Sequence, residues 1–171
     1  AEKVIAIEKD RRAIQFLEHI VTATDGHLIL LEKDAMRQPI WKMGNAPRKI
    51  VANLPYNIAT ALLLRWLAHA NAFVSLTLMF QKEVAERLVA QPGDKAYGRL
   101  SILTQWLCDA ELKFDVPPQA FIPPPKINSS VVHLIPRPRP LYNCSKEDLE
   151  TTTTIAFGQR RKMLRASFKK Y

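Results

Sequence analysis

Asn53-Leu54-Pro55-Tyr56 is the stretch of this 171-residue chain with the most specific chemical potential. The Asn53 side-chain oxygen and the Leu54 backbone carbonyl are two neutral hydrogen-bond acceptors on successive residues. Converging on an amine conjugated to an aromatic ring, they favour a more tetrahedral nitrogen and stabilise positive charge as it develops there. Pro55 has a fixed φ and no N–H, so it stiffens the turn that aims the carbonyl. Tyr56 adds a ring face for a planar group to stack on. Glu8 and Asp34 are the other candidates. With Asn53 they stand at the ends of three apolar runs, where an open α/β sheet binds its ligands. An acidic residue at such a strand end is the usual partner of ribose hydroxyls, so the three together point to a nucleoside.

These residues need elements to hold them. Val4–Ile7, His27–Leu31, Lys49–Ala52 and Val74–Phe80 read as strands, each a short apolar run. Asp10 caps a helix through about Val21, with Ile14, Leu17 and Val21 at helical spacing. Ile58–Ala68 reads as a buried helix, and Gln81–Ala90 and Leu100–Asp109 as two more. Continuous apolar strands alternating with helices predict βαβ units and a mostly parallel sheet covered on both faces. Glu111–Val116 and Ser130–Ile135 have no helix between them and predict an antiparallel hairpin at one edge. Pro136-Arg-Pro-Arg-Pro140 is a linker, being neither helix nor central strand. Ser145 with Asp148 opens a further helix in the manner of a capping box, and Ile155–Tyr171 continues as a basic helical segment.

The chain carries 25 Lys and Arg against 16 Asp and Glu, a net charge of +9. Residues 137–171 hold nine basic and three acidic residues, so +6 of that excess sits in the last fifth of the chain. A basic end on a near-neutral body indicates a polyanionic partner, nucleic acid ahead of an anionic membrane; a solvated basic helix is the plain alternative. No apolar stretch reaches the roughly 18 residues of a membrane-spanning helix. Cys108 and Cys144 have no metal-ligand spacing and read as reduced thiols of a cytoplasmic protein; no metal site is expected. The five glycines form no G-x-G pattern, so a Gly-rich phosphate turn is expected upstream of residue 1.

Beyond Asn53-Leu54-Pro55-Tyr56, several stretches recur in the same order in one known family. They are Gln81-Lys82-Glu83-Val84-Ala85, Tyr97-Gly98-Arg99-Leu100-Ser101, the run from Phe121-Ile122-Pro123-Pro124-Pro125 to Val132, and Phe157-Gly158-Gln159-Arg160-Arg161-Lys162. Together they resemble the rRNA adenine dimethylases, and within them the small-subunit enzymes rather than the large-subunit resistance methylases. The resemblance covers essentially the whole chain. It implies a Rossmann-like α/β methyltransferase that uses S-adenosylmethionine as methyl donor and dimethylates adenines of small-subunit rRNA, as a monomer with no membrane attachment.

The resemblance also assigns roles. Glu8 matches the residue that holds the cofactor ribose, Asp34 the one that reads the cofactor adenine amine, and Ala35 lies beside that adenine; Asn53 faces both cofactor and substrate. Leu54 and Pro55 complete the catalytic turn. Tyr56 and Phe121 match the pair that sandwiches the target base, and Arg160, Arg161 and Lys162 the start of an rRNA grip. On this reading residues 1–136 are a catalytic core lacking its first strand and Gly-rich loop, and 137–171 a linker and first basic helix of a truncated RNA-binding domain. The first strand of such a sheet is central, so a gap and weak cofactor binding are expected. A DNA or large-subunit rRNA adenine methylase, and a non-catalytic ribosome-assembly factor on the same fold, are the competing readings.

Overall fold

The computed structural model describes residues 1–159 and 162–169. Strand β1 (Val4–Glu8) leads into helix α1 (Arg11–Ala23), whose N-cap Asp10 accepts from the Arg12 amide at 2.9 Å. Strand β2 (Leu28–Glu32) pairs with β1 in parallel, and Glu8 falls opposite Glu32. Two like charges across a pair are unfavourable. Each is offset locally: Glu8 accepts from the backbone amides of Lys9 and Asp10, and Glu32 from Arg11.

A second sheet is built from β3 (Lys49–Asn53), β4 (Ser75–Gln81), β5 (Cys108–Val116) and β6 (Ser129–Pro136), in the order β3-β4-β6-β5. β3 runs parallel to β4, while β6 is antiparallel to both β4 and β5. The late pair is thus the edge hairpin its sequence predicts, with β6 rather than β5 facing the parallel strands. No ladder hydrogen bonds join β1 or β2 to β3 among the described residues.

Helices α2 (Tyr56–Leu67), α3 (Lys82–Val89) and α4 (Arg99–Leu107) cover the larger sheet. Leu62 and Leu63 of α2, Leu76, Leu78 and Phe80 of β4, Leu88 of α3, and Val132 and Leu134 of β6 form one buried cluster. Among the described residues, none before Leu54 is buried to the same degree. Between β2 and β3 the chain makes two 3-10 turns, the second holding Trp41, which stacks on His69 with ring centroids 3.9 Å apart. The Arg65 guanidinium lies over the Trp41 ring, 5.0 Å from its centroid, so the turn is clamped to α2. Gly44 has φ +63, a left-handed conformation that disfavours a side chain, and a Cβ there would lie 3.4 Å from Ile5 of β1.

Two boundaries differ from the sequence reading. The helix predicted to reach Asp109 stops at Leu107, and β5 starts at Cys108, three residues before the predicted Glu111. Leu107-Cys108-Asp109-Ala110 alternates buried and open positions once paired with β6, and that pairing overrides the helical spacing. Helix α5 (Lys146–Gly158) has the predicted Ser145 cap, which accepts from the Asp148 amide at 3.0 Å. It does not continue as a basic helix. It ends at Gly158, a poor helix former, and a short α6 (Leu164–Phe168) follows. The first turn of α5 carries Glu147 and Asp148, so the first helix after the linker is acidic at its start and the basic run lies beyond it. The Pro-Arg linker is anchored: Arg137 donates through its amide to the Leu107 carbonyl, and Trp106 Nε1 to the Tyr142 carbonyl at 2.8 Å.

The two thiols occupy opposite environments. Cys108 is fully buried at the start of β5, and burial pushes its thiol up to about 12, whereas Cys144 is exposed. A thiol reagent at pH 8 is expected to modify one cysteine rapidly in the native protein, Cys144 by peptide mapping, and the second only after denaturation. Equal rates for both in the native state would contradict this burial.

Candidate active site

The carboxyl ends of β1 and β2 bring Glu8 and Asp34 together. The Lys33 amide, one residue past β2, donates to the Glu8 carbonyl at 3.0 Å. Glu8 Oε1 accepts from Lys9 N at 2.6 Å and Asp10 N at 2.7 Å, and no hydrogen bond engages Oε2 among the described residues. Asp34 caps the 3-10 turn that begins at Ala35, accepting from Met36 N at 2.9 Å, and its second oxygen accepts from Lys9 Nζ at 3.0 Å. The Lys9 ammonium and then the Met36 amide hold the Asp34 carboxyl below its ordinary range. Lys9 is exposed, so this pair is easily exchanged for another donor.

Asn53 ends β3, exposed, and its side-chain amide makes no hydrogen bond among the described residues. Leu54 is buried, anchoring the turn in the core. Pro55 is the N-cap of α2, with φ −57 and ψ 128. That conformation ends the strand and opens the helix in one residue, leaving Asn53 and the Leu54 carbonyl at the strand end. Tyr56 then begins α2, and its hydroxyl shares a 2.7 Å hydrogen bond with Ser129 Oγ across 73 residues of sequence.

Ser129 had no predicted role, although it lies inside one of the recurring stretches. Two consecutive serines, Ser129 and Ser130, are wholly buried at the start of β6. Buried hydroxyls require partners, which is the signal the sequence offered. Ser130 Oγ donates to Asp115 Oδ1 at 2.7 Å, and Lys82 Nζ donates to Asp115 Oδ2 at 2.6 Å. The Lys82 amide donates to the Asn128 carbonyl at 2.9 Å. These bonds fix the end of the 117–128 loop, and with it the segment carrying the half-buried Phe121, to the end of β4 beside Tyr56. Arg160 and Arg161 lie outside the described residues; Lys162 is exposed past the end of α5.

The candidate residues therefore form two sets on two sheets. Glu8, Asp34 and Ala35 are one, an acceptor-rich rim. Asn53, Leu54, Pro55 and Tyr56, tied to the 117–128 loop, are the other, and the acceptors that Asn53 and Leu54 present are neutral. No group of His, Cys, Asp and Glu among the described residues is arranged to hold a metal ion. No helix among them is long and apolar enough to cross a membrane.

The Lys82 ammonium, followed by the Ser130 hydroxyl, holds the Asp115 carboxyl below its ordinary value of 3.8. A depressed folded-state pKa contributes stability above that value and loses it as pH falls through the folded one. Asp115→Asn is thus expected to be less stable than the parent at pH 7, with the difference closing below pH 3.8. Urea midpoints measured against pH check this, and parallel curves would refute it.

Comparison with known proteins follows this geometry. The family pattern described as ribosomal RNA adenine dimethylase matches residues 1–171. The ribosomal RNA small subunit methyltransferase A of Rhodospirillum rubrum is 55% identical over 169 residues, covering 99% of this chain and 59% of that protein. The protein of the same description from Azorhizobium caulinodans is 53% identical over 173 residues, again with 59% of its length covered. The chain spans about three fifths of the length of these relatives. A crystal structure of a dimethyladenosine transferase from Plasmodium falciparum superposes with TM-score 0.81 at 32% identity, over 99% of this chain and 60% of that one. A 23S rRNA methyltransferase structure superposes with TM-score 0.77 at 23% identity, over 99% of this chain and 67% of that one, a likeness of fold alone. The fold is the Rossmann-like α/β fold of rRNA methyltransferases.

Proposed function

The chain belongs to the ribosomal RNA adenine dimethylase family, and from that premise we propose that it is the catalytic part of a cytoplasmic enzyme that dimethylates adenine amines of small-subunit rRNA. S-adenosylmethionine is the methyl donor. The observation that carries this reading is the Asn53–Tyr56 turn at the end of β3, with the Asn53 amide unengaged and the Tyr56 hydroxyl held by Ser129. The names of the relatives at 53–55% identity support the small subunit over the large as target.

The donor set fits the methyl donor. Its nucleoside presents hydroxyl and amino hydrogens, and Glu8 and Asp34 are acceptor carboxylates at adjacent strand ends. Glu8 would hold the ribose through its unengaged Oε2. Asp34 would take the adenine amine in place of Lys9, with the Ala35 backbone beside that ring. When bound, the donor supplies a methyl group on a cationic sulfur, itself a good leaving group.

The chain's own residues then do the positioning. The Asn53 side-chain oxygen and the Leu54 carbonyl accept the two amine hydrogens of the target adenine in the first transfer, one of them accepts the remaining hydrogen in the second, and both stabilise the positive charge that develops on its nitrogen. Pro55 fixes the direction of that carbonyl. Tyr56 stacks on the extruded base, its ring azimuth set by Ser129, and Phe121 closes on the opposite face. The methylated ammonium is acidic enough to lose its proton to water, so no strong base is needed. We read residues 1–136 as the catalytic core and 137–171 as the linker and start of an RNA grip, in which Arg160, Arg161 and Lys162 contact phosphates in a salt-dependent, sequence-independent way.

Asn53→Ala in the whole protein is expected to lower kcat on undermethylated small-subunit particles by about 100-fold or more. Affinity for the particles should stay within about two-fold, because phosphate contacts dominate it. Tyr56→Phe keeps the ring and loses only the Ser129 bond, so its loss should stay within about 10-fold. Full methylation by Asn53→Ala overturns the mechanism, and transfer to DNA in preference to particles overturns the substrate.

A further inference from the structure

The connection from β5 to β6, residues 117–128, holds five prolines in twelve positions. Its beginning is a 3-10 turn, with the Ala120 and Phe121 amides donating to the Pro117 and Pro118 carbonyls. Its end is held by the Lys82–Asn128 backbone bond and by Ser129, which is bonded to Tyr56. The loop is thus stiff along its length and fixed at both feet. It rises from the same end of the sheet as the Asn53–Tyr56 turn, since β6 starts opposite Gln81 at the close of β4, and Asn53 pairs with Met79.

At its middle stands Ile122, 101% exposed, the most exposed large apolar side chain among the described residues. Phe121 beside it is half buried, and Pro123, Pro124 and Pro125 follow. A flexible loop would fold such a side chain back against the protein; this one has no freedom to do so. The branched aliphatic group is held in water, on a loop rooted at the sheet end that carries the Asn53–Tyr56 turn.

The proposed reaction has a requirement that the site as described does not meet. An adenine amine cannot reach Asn53 and Leu54 while its base is stacked among neighbours, and extrusion leaves a hole in that stack. Proteins that unstack base steps frequently insert an apolar wedge such as Ile, Leu or Met between them. We propose that Ile122 is this wedge: it enters the RNA stack at the position the target adenine leaves, while Tyr56 receives the adenine. This rests on the dimethylase reading and adds the step that delivers the base.

The test compares two RNA hairpins, one with the target adenine between intact neighbours and one with an abasic residue beside it, so that its stack is already open. Ile122→Ala in the whole protein is expected to lower kcat/KM about 10-fold on the intact hairpin and to come within two-fold of the parent on the abasic one. Ile122→Leu should keep the parent rate on both. With 2-aminopurine at the target position and no methyl donor, fluorescence should rise on mixing with the parent and with Ile122→Leu, and much less with Ile122→Ala. Equal losses on the two hairpins, no loss on either, or an unchanged fluorescence rise would overturn the wedge while leaving the methyltransferase reading intact. Absence of transfer by the parent to undermethylated small-subunit particles would overturn that reading, and the wedge with it.

Discussion

The arrangement depends on one strand. Leu76, Leu78 and Phe80 of β4 are wholly buried, and they hold β4 in one cluster with α2 and α3. β3 joins it in parallel and β6 antiparallel, so opposite chain directions converge at a single end. That end receives the last residue of β3, Asn53, and the first of β6, Ser129. A slip of one residue in either register would turn every side chain of that strand to the other face. The Tyr56–Ser129 bond would then have no partner, and Asn53 would point into the core or away from the turn. The packing of three apolar side chains is therefore what sets the positions of two polar ones.

Much of this was readable in advance, and for a definite reason. Short apolar runs are how β1, β2, β3 and β4 announced themselves, although Val51 of β3 stands exposed in the fold, and Asp10 and Ser145 mark helix starts because short side chains satisfy exposed amides there. The Asn53–Tyr56 turn was readable because its chemistry is local, four successive residues whose types already define acceptors, a stiff turn and a ring. What escaped was non-local. Ser129 bonds a residue 73 positions away, and nothing in either neighbourhood names the other. The start of β5 escaped because Leu107–Ala110 fits both helical and strand periods, and only the partner strand β6 decides between them. The extent of the last helix escaped because a single glycine outweighed a run of residues with good helix propensity.

The two sets of candidate residues differ in how firmly they are held. The Asn53–Tyr56 turn is rooted in the core through Leu54 and bonded to β6 through Tyr56. Glu8 and Asp34 stand on a two-stranded parallel unit in which no residue is fully buried, and Asp34 is occupied by an exposed lysine. A two-stranded sheet has little apolar area to hold it, so its stability comes from what it packs against. The structure thus gives the substrate side of the proposed reaction its rigidity and leaves the donor side the more responsive to whatever fills it.

Charge follows the same logic. In the proposed reaction the adenine nitrogen becomes positive as it is methylated, and a free cation beside it would raise the barrier. Neutral acceptors avoid this, which is why Asn and a backbone carbonyl suit the turn better than an acid that must be kept ionised or a basic residue that would repel. Two lysines at the strand ends are matched: Lys9 lies on Asp34, and Lys82 on Asp115. Holding RNA phosphates, as the proposed function requires, takes cations as well. In the sequence, six of the 25 basic residues follow Gly158, beyond an anchored linker and a helix that opens with acids. Screening in physiological salt extends over about 8 Å, so on the proposed function even a modest separation would let the basic end attract RNA without imposing its field on the nitrogen that must become a cation.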